Sequence, residues 1–316
     1  MKYIKNTTEF QITEPTVISL GKFDGIHRGH ECLMNYLAAK RKQGLKTVIF
    51  TFDIPPKQQV EEAYETKVLT TNDEKMHLFE QHGIDYLIEC PFTPEIMHME
   101  AEAFVEMIAK RLQVKDIVVG TDFRFGHNRK GDYQLLQQLA PVYGYDVEVV
   151  EKVQDSGRDI SSTFIREEIF AGHIEKANDL LGYDYFVQGI VVHGNKIGRT
   201  LQMPTANLVP LPEKLLPPFG VYVSRTWIDG KCYGGISNVG CKPTIEGKNP
   251  VGVETNLFDF DADIYGKEIK VEFLKPVRKE MKFHSLEELK TQMQKDVAYG
   301  KEIVTQMLQN CVDSMT

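Results

Sequence analysis

The sequence predicts two domains in series: an α/β domain built on a parallel sheet, then an all-β domain finished by a terminal helix. Three observations predict it. Up to about Val150, short apolar and β-prone runs alternate with amphipathic stretches, and strands that alternate with helices need crossover connections and therefore a parallel sheet. From Phe186 onward the apolar runs are short, closely spaced and cut by turn dipeptides such as Asp229-Gly230 and Tyr265-Gly266, the pattern of an antiparallel barrel or sandwich. At 316 residues the chain is also long for one domain. The boundary falls near Tyr183–Phe186, giving domains at 1–183 and 184–316.

In the first domain the expected strands are Thr16–Leu20, Thr47–Phe52, Tyr86–Glu89, Asp116–Gly120 and Asp146–Val150. Helical stretches are expected at about 31–43, 72–82, 100–112 and 132–140, where apolar residues such as Phe104, Ile108 and Leu112 recur at the spacing of one helix face. Ser161–Gly182 reads as a capped helical stretch, with Ser161-Ser162-Thr163 as capping hydroxyls. The second domain offers strands at Val187–His193, Val221–Ile228, Cys232–Ser237 and Ile269–Phe273, and a helix from Leu286 to about Gln309.

Composition narrows the function. Apolar residues make up 42% and charged residues 26% of the chain, ordinary values for a soluble globular protein. A formal charge of -8 argues against a protein that binds nucleic acid through its phosphate backbone, which calls for a basic surface. The five cysteines, Cys32, Cys90, Cys232, Cys241 and Cys311, contain no C-x-x-C pair and suit reduced thiols better than a disulfide framework. No apolar run approaches the roughly 18 residues of a membrane span, and no apolar signal region follows Met1–Asn6. The expected setting is cytoplasmic, with small molecules rather than nucleic acid or membrane as partners; homo-oligomerisation is left open.

Chemistry concentrates in Ser19-Leu20-Gly21-Lys22-Phe23-Asp24-Gly25-Ile26-His27-Arg28-Gly29-His30, where a buried strand turns into a helix. A helix start offers unpaired N–H groups and the positive end of a dipole, which suits a phosphate. His27 and His30 are three apart and can project to the same side of the first turn. Neither a G-x-G-x-x-G fingerprint nor a G-x-x-x-x-G-K-[ST] loop is present here, so this is a different kind of phosphate site. Ligands of parallel sheets sit at the carboxyl ends of the strands, and Gly21–His30 and Gly120–Gly131 both follow strands at that end.

These residues resemble the H-x-G-H signature of the nucleotidyltransferases, and the flanking F-D-G narrows the resemblance to the bacterial bifunctional riboflavin kinase/FAD synthetases. Val119–Gly126, Arg129-Lys130-Gly131-Asp132 and Ile160-Ser161-Ser162-Thr163-Phe164-Ile165-Arg166 agree with it. So do Gly189–Gly194, Gly198-Arg199-Thr200-Leu201, the P-T-A-N element at Pro204–Asn207, Asn238-Val239-Gly240 with Pro243-Thr244, and Glu254. The resemblance implies a Rossmann-like nucleotidyltransferase domain and a barrel of riboflavin-kinase type with a terminal helix. It implies FMN adenylylation to FAD in the first domain and riboflavin phosphorylation to FMN in the second, both from ATP with Mg²⁺.

Residue roles follow the same resemblance. His27, His30 and Arg166 act on the transferring phosphates, and Gly21, Phe23, Asp24, Gly25, Gly29, Ser161, Ser162 and Thr163 hold the nucleotide. Asp122 and Phe123 line the flavin side. In the second domain Gly194, Gly198 and Arg199 hold the nucleotide, Thr205 and Asn207 the metal, Arg278 the flavin, and Glu254 is the general base. Two departures from the family pattern stand out. Thr51-Phe52-Asp53-Ile54-Pro55-Pro56 lacks the histidine of the usual T-F-D-P-H-P, and Gln202 occupies a usual glycine before P-T-A-N. The second departure sets an alternative, an FAD synthetase whose kinase domain is degenerate; a non-catalytic flavin-binding regulator is a further one.

Overall fold

The computed structural model describes residues 1–53, 67–194, 203–241 and 251–313, with side chains to residue 307. The expectations for Ile54–Pro56, Gly198, Arg199, Gln202 and Pro243-Thr244 lie outside the described residues. The chain forms two compact units, Met1–Ser162 and Thr163–Thr316.

In the first unit six strands form one parallel sheet in the order β1-β4-β3-β2-β5-β8. They are β1 (Lys2–Lys5), β2 (Thr16–Leu20), β3 (Lys46–Phe52), β4 (Tyr86–Cys90), β5 (Val114–Gly120) and β8 (Asp146–Val150). Two short hairpins, β6 (Arg124–Phe125) with β7 (Gly131–Asp132) and β9 (Gln154–Asp155) with β10 (Arg158–Asp159), decorate it. Helices α1 (Arg28–Lys42), α2 (Asn72–Gln81), α3 (Pro94–Met97), α4 (Ala101–Arg111) and α5 (Tyr133–Tyr143) make the connections among the described residues. Strand β2 is buried along its whole length, as a central strand covered on both faces must be. The chain moves outward from β2 through β3 to β4, then returns to place β5 on the other side of β2. That reversal makes the carboxyl ends of β2 and β5 the switch point, where such sheets bind ligands. The expected loops at Gly21–His30 and Gly120–Gly131 leave from those two ends.

One correction concerns the helix after β2. It begins at Arg28 rather than Glu31, with His27 as its N-cap in extended conformation (φ -81°, ψ 173°). His27 and His30 therefore belong to the start of the helix itself.

The second unit opens with α6 (Ser162–Ala171, beginning at the boundary) and α7 (Ile174–Leu181). Its six-stranded antiparallel sheet runs β11-β16-β13-β14-β15-β12. The strands are β11 (Phe186–Ile190), β12 (Ala206–Leu208), β13 (Gly220–Ile228), β14 (Lys231–Cys241), β15 (Val251–Leu257) and β16 (Glu268–Lys279). A bridge between Val192 and Asn207, with Val192 N donating to Asn207 O at 2.9 Å, joins the two ends of the sheet and nearly closes a barrel. Terminal helix α8 (Leu286–Asp313) lies across β13 and β14. The compact units divide ahead of the expected boundary at 183/184 because α7 packs on β16. Asn178 stitches that contact, its Nδ2 donating to Phe273 O (2.9 Å) and its Oδ1 accepting from Tyr185 N (2.8 Å).

Candidate active sites

The loop between β2 and α1 is held by its own buried carboxylate. Asp24 is 2% exposed, and its Oδ1 accepts from Leu69 N (2.8 Å) and Thr70 N (3.1 Å). Gly25 N donates to Thr70 Oγ1 (3.1 Å), and Ser162 Oγ donates to Asp24 O (2.7 Å). Gly25 turns with φ +81°, and a Cβ there would lie 2.6 Å from Leu69 Cδ1, so both conformation and space call for glycine. Phe23 is buried with φ +48°, a conformation that a bulky residue holds only when its surroundings enforce it. Its ring packs on His30 (5.2 Å between centroids) and Phe79 (5.7 Å). Asp24, expected among the nucleotide ligands, thus orders the turn through residues 69–70.

The two histidines stack with centroids 3.9 Å apart, and His27 N donates to His30 Nδ1 (3.3 Å). Burial pushes the His27 imidazole down to about 4, against the opposing pull of the Asp24 and Asp122 carboxylates. Burial also holds His30 well below the ordinary range, and the neighbouring His27 adds to it. Both rings are therefore neutral near pH 7. Asp122 follows β5, so its influence on His27 shows that the loops after β2 and β5 converge. His27 Nδ1 is buried and finds no hydrogen-bond partner among the described residues. An orphaned buried nitrogen is costly unless a ligand completes it, and this one sits at a helix N-terminus.

The other expected residues of this unit are near but differently engaged. Asp122 is largely exposed and pairs with Lys152 (3.2 Å), which also pairs with Asp159 (3.0 Å). Phe123 is partly buried and stacks on Phe125 (5.4 Å), which is itself a core residue packed on Phe104 (5.7 Å). Gly21 lies against the Phe23 ring, and Gly29 against the His27 imidazole. Ser161 and Ser162 belong to this unit, whereas Thr163 and Arg166 belong to the second. Sequence reasoning missed three residues at this edge. Phe52 ends β3 and Phe92 follows β4, their rings 5.1 Å apart. Lys75, one turn into α2, has its ammonium pushed down by burial while Asp24 and Glu89 pull it up. A lysine four residues before the core-facing Phe79, and so on the same side of the helix, was the available signal.

In the second unit the register draws the expected residues together. Asn207 of β12 pairs with Glu254 of β15, and Glu254 pairs with Asn238 of β14. Cross-strand partners share a face, so the P-T-A-N asparagine and the expected base are neighbours. Asn256 Nδ2 donates to Pro204 O (2.9 Å), fixing the element to β15. Asn207 is 4% exposed, and its Nδ2 donates to Thr205 O at 3.2 Å. A Cβ on Gly194 would lie 2.7 Å from both polar atoms of that amide, so glycine lets the backbone approach there. The Thr205 hydroxyl and the Asn207 carbonyl are hard oxygen donors of the kind Mg²⁺ takes. Arg278, expected at the flavin, has its guanidinium on Asp296 of α8. Asn238, not singled out as a site residue, enters through the ladder alone.

A parallel sheet with a pair of histidines at a helix start at its switch point, followed by an antiparallel barrel carrying Asn207 beside Glu254, is the architecture expected of a two-domain nucleotide-dependent transferase. A family model for FAD synthetase matches residues 9–164, and one for riboflavin kinase matches 181–304. The chain is 36% identical over 292 residues to the bifunctional riboflavin kinase/FMN adenylyltransferase of Escherichia coli strain K12, covering 92% of this chain and 93% of that one. It is 36% identical over 288 residues to the protein of the same name from Bacillus subtilis strain 168, covering 89% and 90%. The chain belongs to the family of bifunctional riboflavin kinase/FMN adenylyltransferases. A solved structure described as a macrolide-efflux protein from Streptococcus pneumoniae shares the fold, with TM-score 0.84 and 33% identity over 95% of this chain and 98% of that one. No helix among the described residues is long and apolar enough to cross a membrane.

Proposed function

We propose that this chain makes FAD from riboflavin in two ATP-dependent steps, phosphorylating riboflavin to FMN within 184–316 and adenylylating FMN within 1–183. The observation that carries the reading is the stacked His27–His30 pair at the start of α1, at the switch point of the parallel sheet. In the adenylylation an oxygen of the FMN phosphate forms a bond to the α-phosphorus of ATP, and the bond from that phosphorus to the bridging oxygen of pyrophosphate breaks. The work is alignment and charge stabilisation, without a covalent enzyme intermediate. Uncharged imidazoles cost less to keep buried than imidazoliums, and they donate to phosphate as charge builds. The bound triphosphate raises their proton affinity through its own charge.

The N-terminal flavin is assigned to the aromatic edge of Phe123, Phe52 and Phe92, whose faces suit a planar ring. By the sequence motif, Ser161 and Ser162 are assigned to the triphosphate and its leaving group. In the barrel, Glu254 takes the proton from the ribityl 5′-hydroxyl as that oxygen attacks the γ-phosphorus of ATP and ADP leaves. Thr205 and Asn207 hold Mg²⁺, which neutralises phosphate charge when bound. The setting is cytoplasmic and the partners are the substrates. The test is His30→Ala: FAD formation from FMN is abolished while riboflavin phosphorylation persists. Equal loss of both activities would reject the assignment of the histidines to one site.

A further inference from the structure

The face of the barrel that carries Glu254 continues past it to the terminal helix. Register places Arg278 opposite Val221, Val221 opposite Asn238, Asn238 opposite Glu254, and Glu254 opposite Asn207. These residues form one row on one face. Val223 opposes Ile236, and Ile236 opposes Asn256, so they share that face. Val221, Val223 and Ile236 pack under α8 with Phe258 and Leu274, against Val297, Ile303, Val304 and Met307. Helix α8 therefore covers the β13–β14 flank of Glu254, while Asn207 lies on the β12 flank.

A polar cluster ties the helix to the row. Arg278 Nε and one terminal nitrogen donate to Asp296 Oδ2 at 3.0 and 2.8 Å, and the other terminal nitrogen donates to Lys279 O at 3.2 Å. Asp296 is 4% exposed. Gln292, one turn earlier on α8, donates to its Oδ1 at 2.8 Å. The Phe283 ring lies 5.7 Å from the guanidinium carbon. A forked, charge-assisted pair has strict geometry, and removing one partner strands the other charge in a buried position.

We propose that Arg278, Asp296 and Gln292 form a latch that seats α8 beside Glu254 and thereby sets the affinity of the kinase half for its flavin acceptor. Arg278 acts through Asp296 as a positioning residue. The side follows from the row and the chemistry. Phosphoryl transfer places the attacking and leaving oxygens on opposite sides of phosphorus. The Thr205–Asn207 flank belongs to the nucleotide, so the acceptor approaches from the flank that α8 borders. The inference rests on the reading of the barrel as a riboflavin kinase.

The full-length enzyme tests it, with Arg278→Gln, Asp296→Asn and Arg278→Lys compared with wild type in riboflavin phosphorylation, FMN adenylylation, and hydrogen exchange of α8 amides. Gln at 278 and Asn at 296 are each expected to raise the KM for riboflavin about tenfold, the size of coupling one displaced element transmits. The turnover number should stay within about threefold and the KM for ATP and FAD formation from FMN unchanged, as loss of acceptor binding predicts. Exchange in α8 should quicken in both variants, and Lys, which keeps the charge but not the fork, should fall between. A riboflavin KM raised by Arg278→Gln but not by Asp296→Asn would overturn the latch in favour of direct flavin contact. An unchanged KM in both, or unchanged exchange in α8, would overturn it as well. A wild-type enzyme that makes no FMN would overturn the kinase reading and the acceptor claim with it; α8 exchange, read without turnover, distinguishes that failure from failure of the latch.

Discussion

Replacing Asp24 with alanine removes the acceptor that holds the β2–α1 turn to residues 69–70. Two backbone donors, Leu69 N at 2.8 Å and Thr70 N at 3.1 Å, lose a carboxylate that is 2% exposed. Hydrogen bonds to a charged group contribute about 1.5–3 kcal/mol each, and buried donors left unpaired keep their desolvation cost, so the loss is about 3–5 kcal/mol. It falls on the turn that sets His27 and His30, and a misplacement of about 1 Å can cost roughly a hundredfold in rate. The assay is FAD formation from FMN and ATP, with riboflavin phosphorylation by the same sample as the internal control for folding. Asp24→Ala should lower kcat/KM for FAD formation by about a hundredfold or more and leave phosphorylation within about twofold. Asp24→Asn retains an acceptor and should rank between wild type and alanine. Full FAD formation by the alanine variant, or an asparagine variant worse than alanine, would refute the reasoning.

The remaining expectations are these. His27 titrates near 4 when folded and near its ordinary value of 6.5 when unfolded, so the unfolded chain takes up the proton first. Its stabilising contribution is full above pH 6.5 and is lost as the pH falls toward 4, by about 3 kcal/mol in total; denaturation curves from pH 7 to 4 should show a shallower decline in His27→Asn. Glu254→Gln should abolish FMN formation from riboflavin and spare FAD formation from FMN, and retained phosphorylation would reject Glu254 as the base. Gly194→Ala places a Cβ 2.7 Å from the Asn207 amide and should cut riboflavin phosphorylation about tenfold or more through displacement of a metal ligand, measured at fixed and at raised Mg²⁺.

Much of this was legible because strand–turn–helix boundaries carry strong local signals. The run Thr16–Leu20, followed by glycines and histidines, marks the switch-point loop by local pattern alone. The helix start was misjudged by three positions because His27-Arg28-Gly29-His30 has poor intrinsic helix propensity; its conformation is set by the capping geometry instead. Strand β1 escaped notice because Lys2 and Lys5 at the ends of an edge strand face solvent and leave little apolar pattern. Strand β12 is three residues beside Pro204, and pairing with β15 makes it a strand where local chemistry reads as a turn. Arg278 shows the limit most plainly. Its position in the family pattern was visible, but its partner Asp296 lies on a helix whose seating depends on the packed barrel face.

The most direct measurement feeds riboflavin and FMN separately to the wild-type enzyme with Mg-ATP and resolves the flavin products by chromatography. The account predicts FMN and then FAD from riboflavin, and FAD alone from FMN. FAD from FMN without any FMN from riboflavin would contradict the two-step claim and leave the Gln202-bearing barrel as a degenerate kinase, and flavin binding without either product would contradict the enzyme altogether.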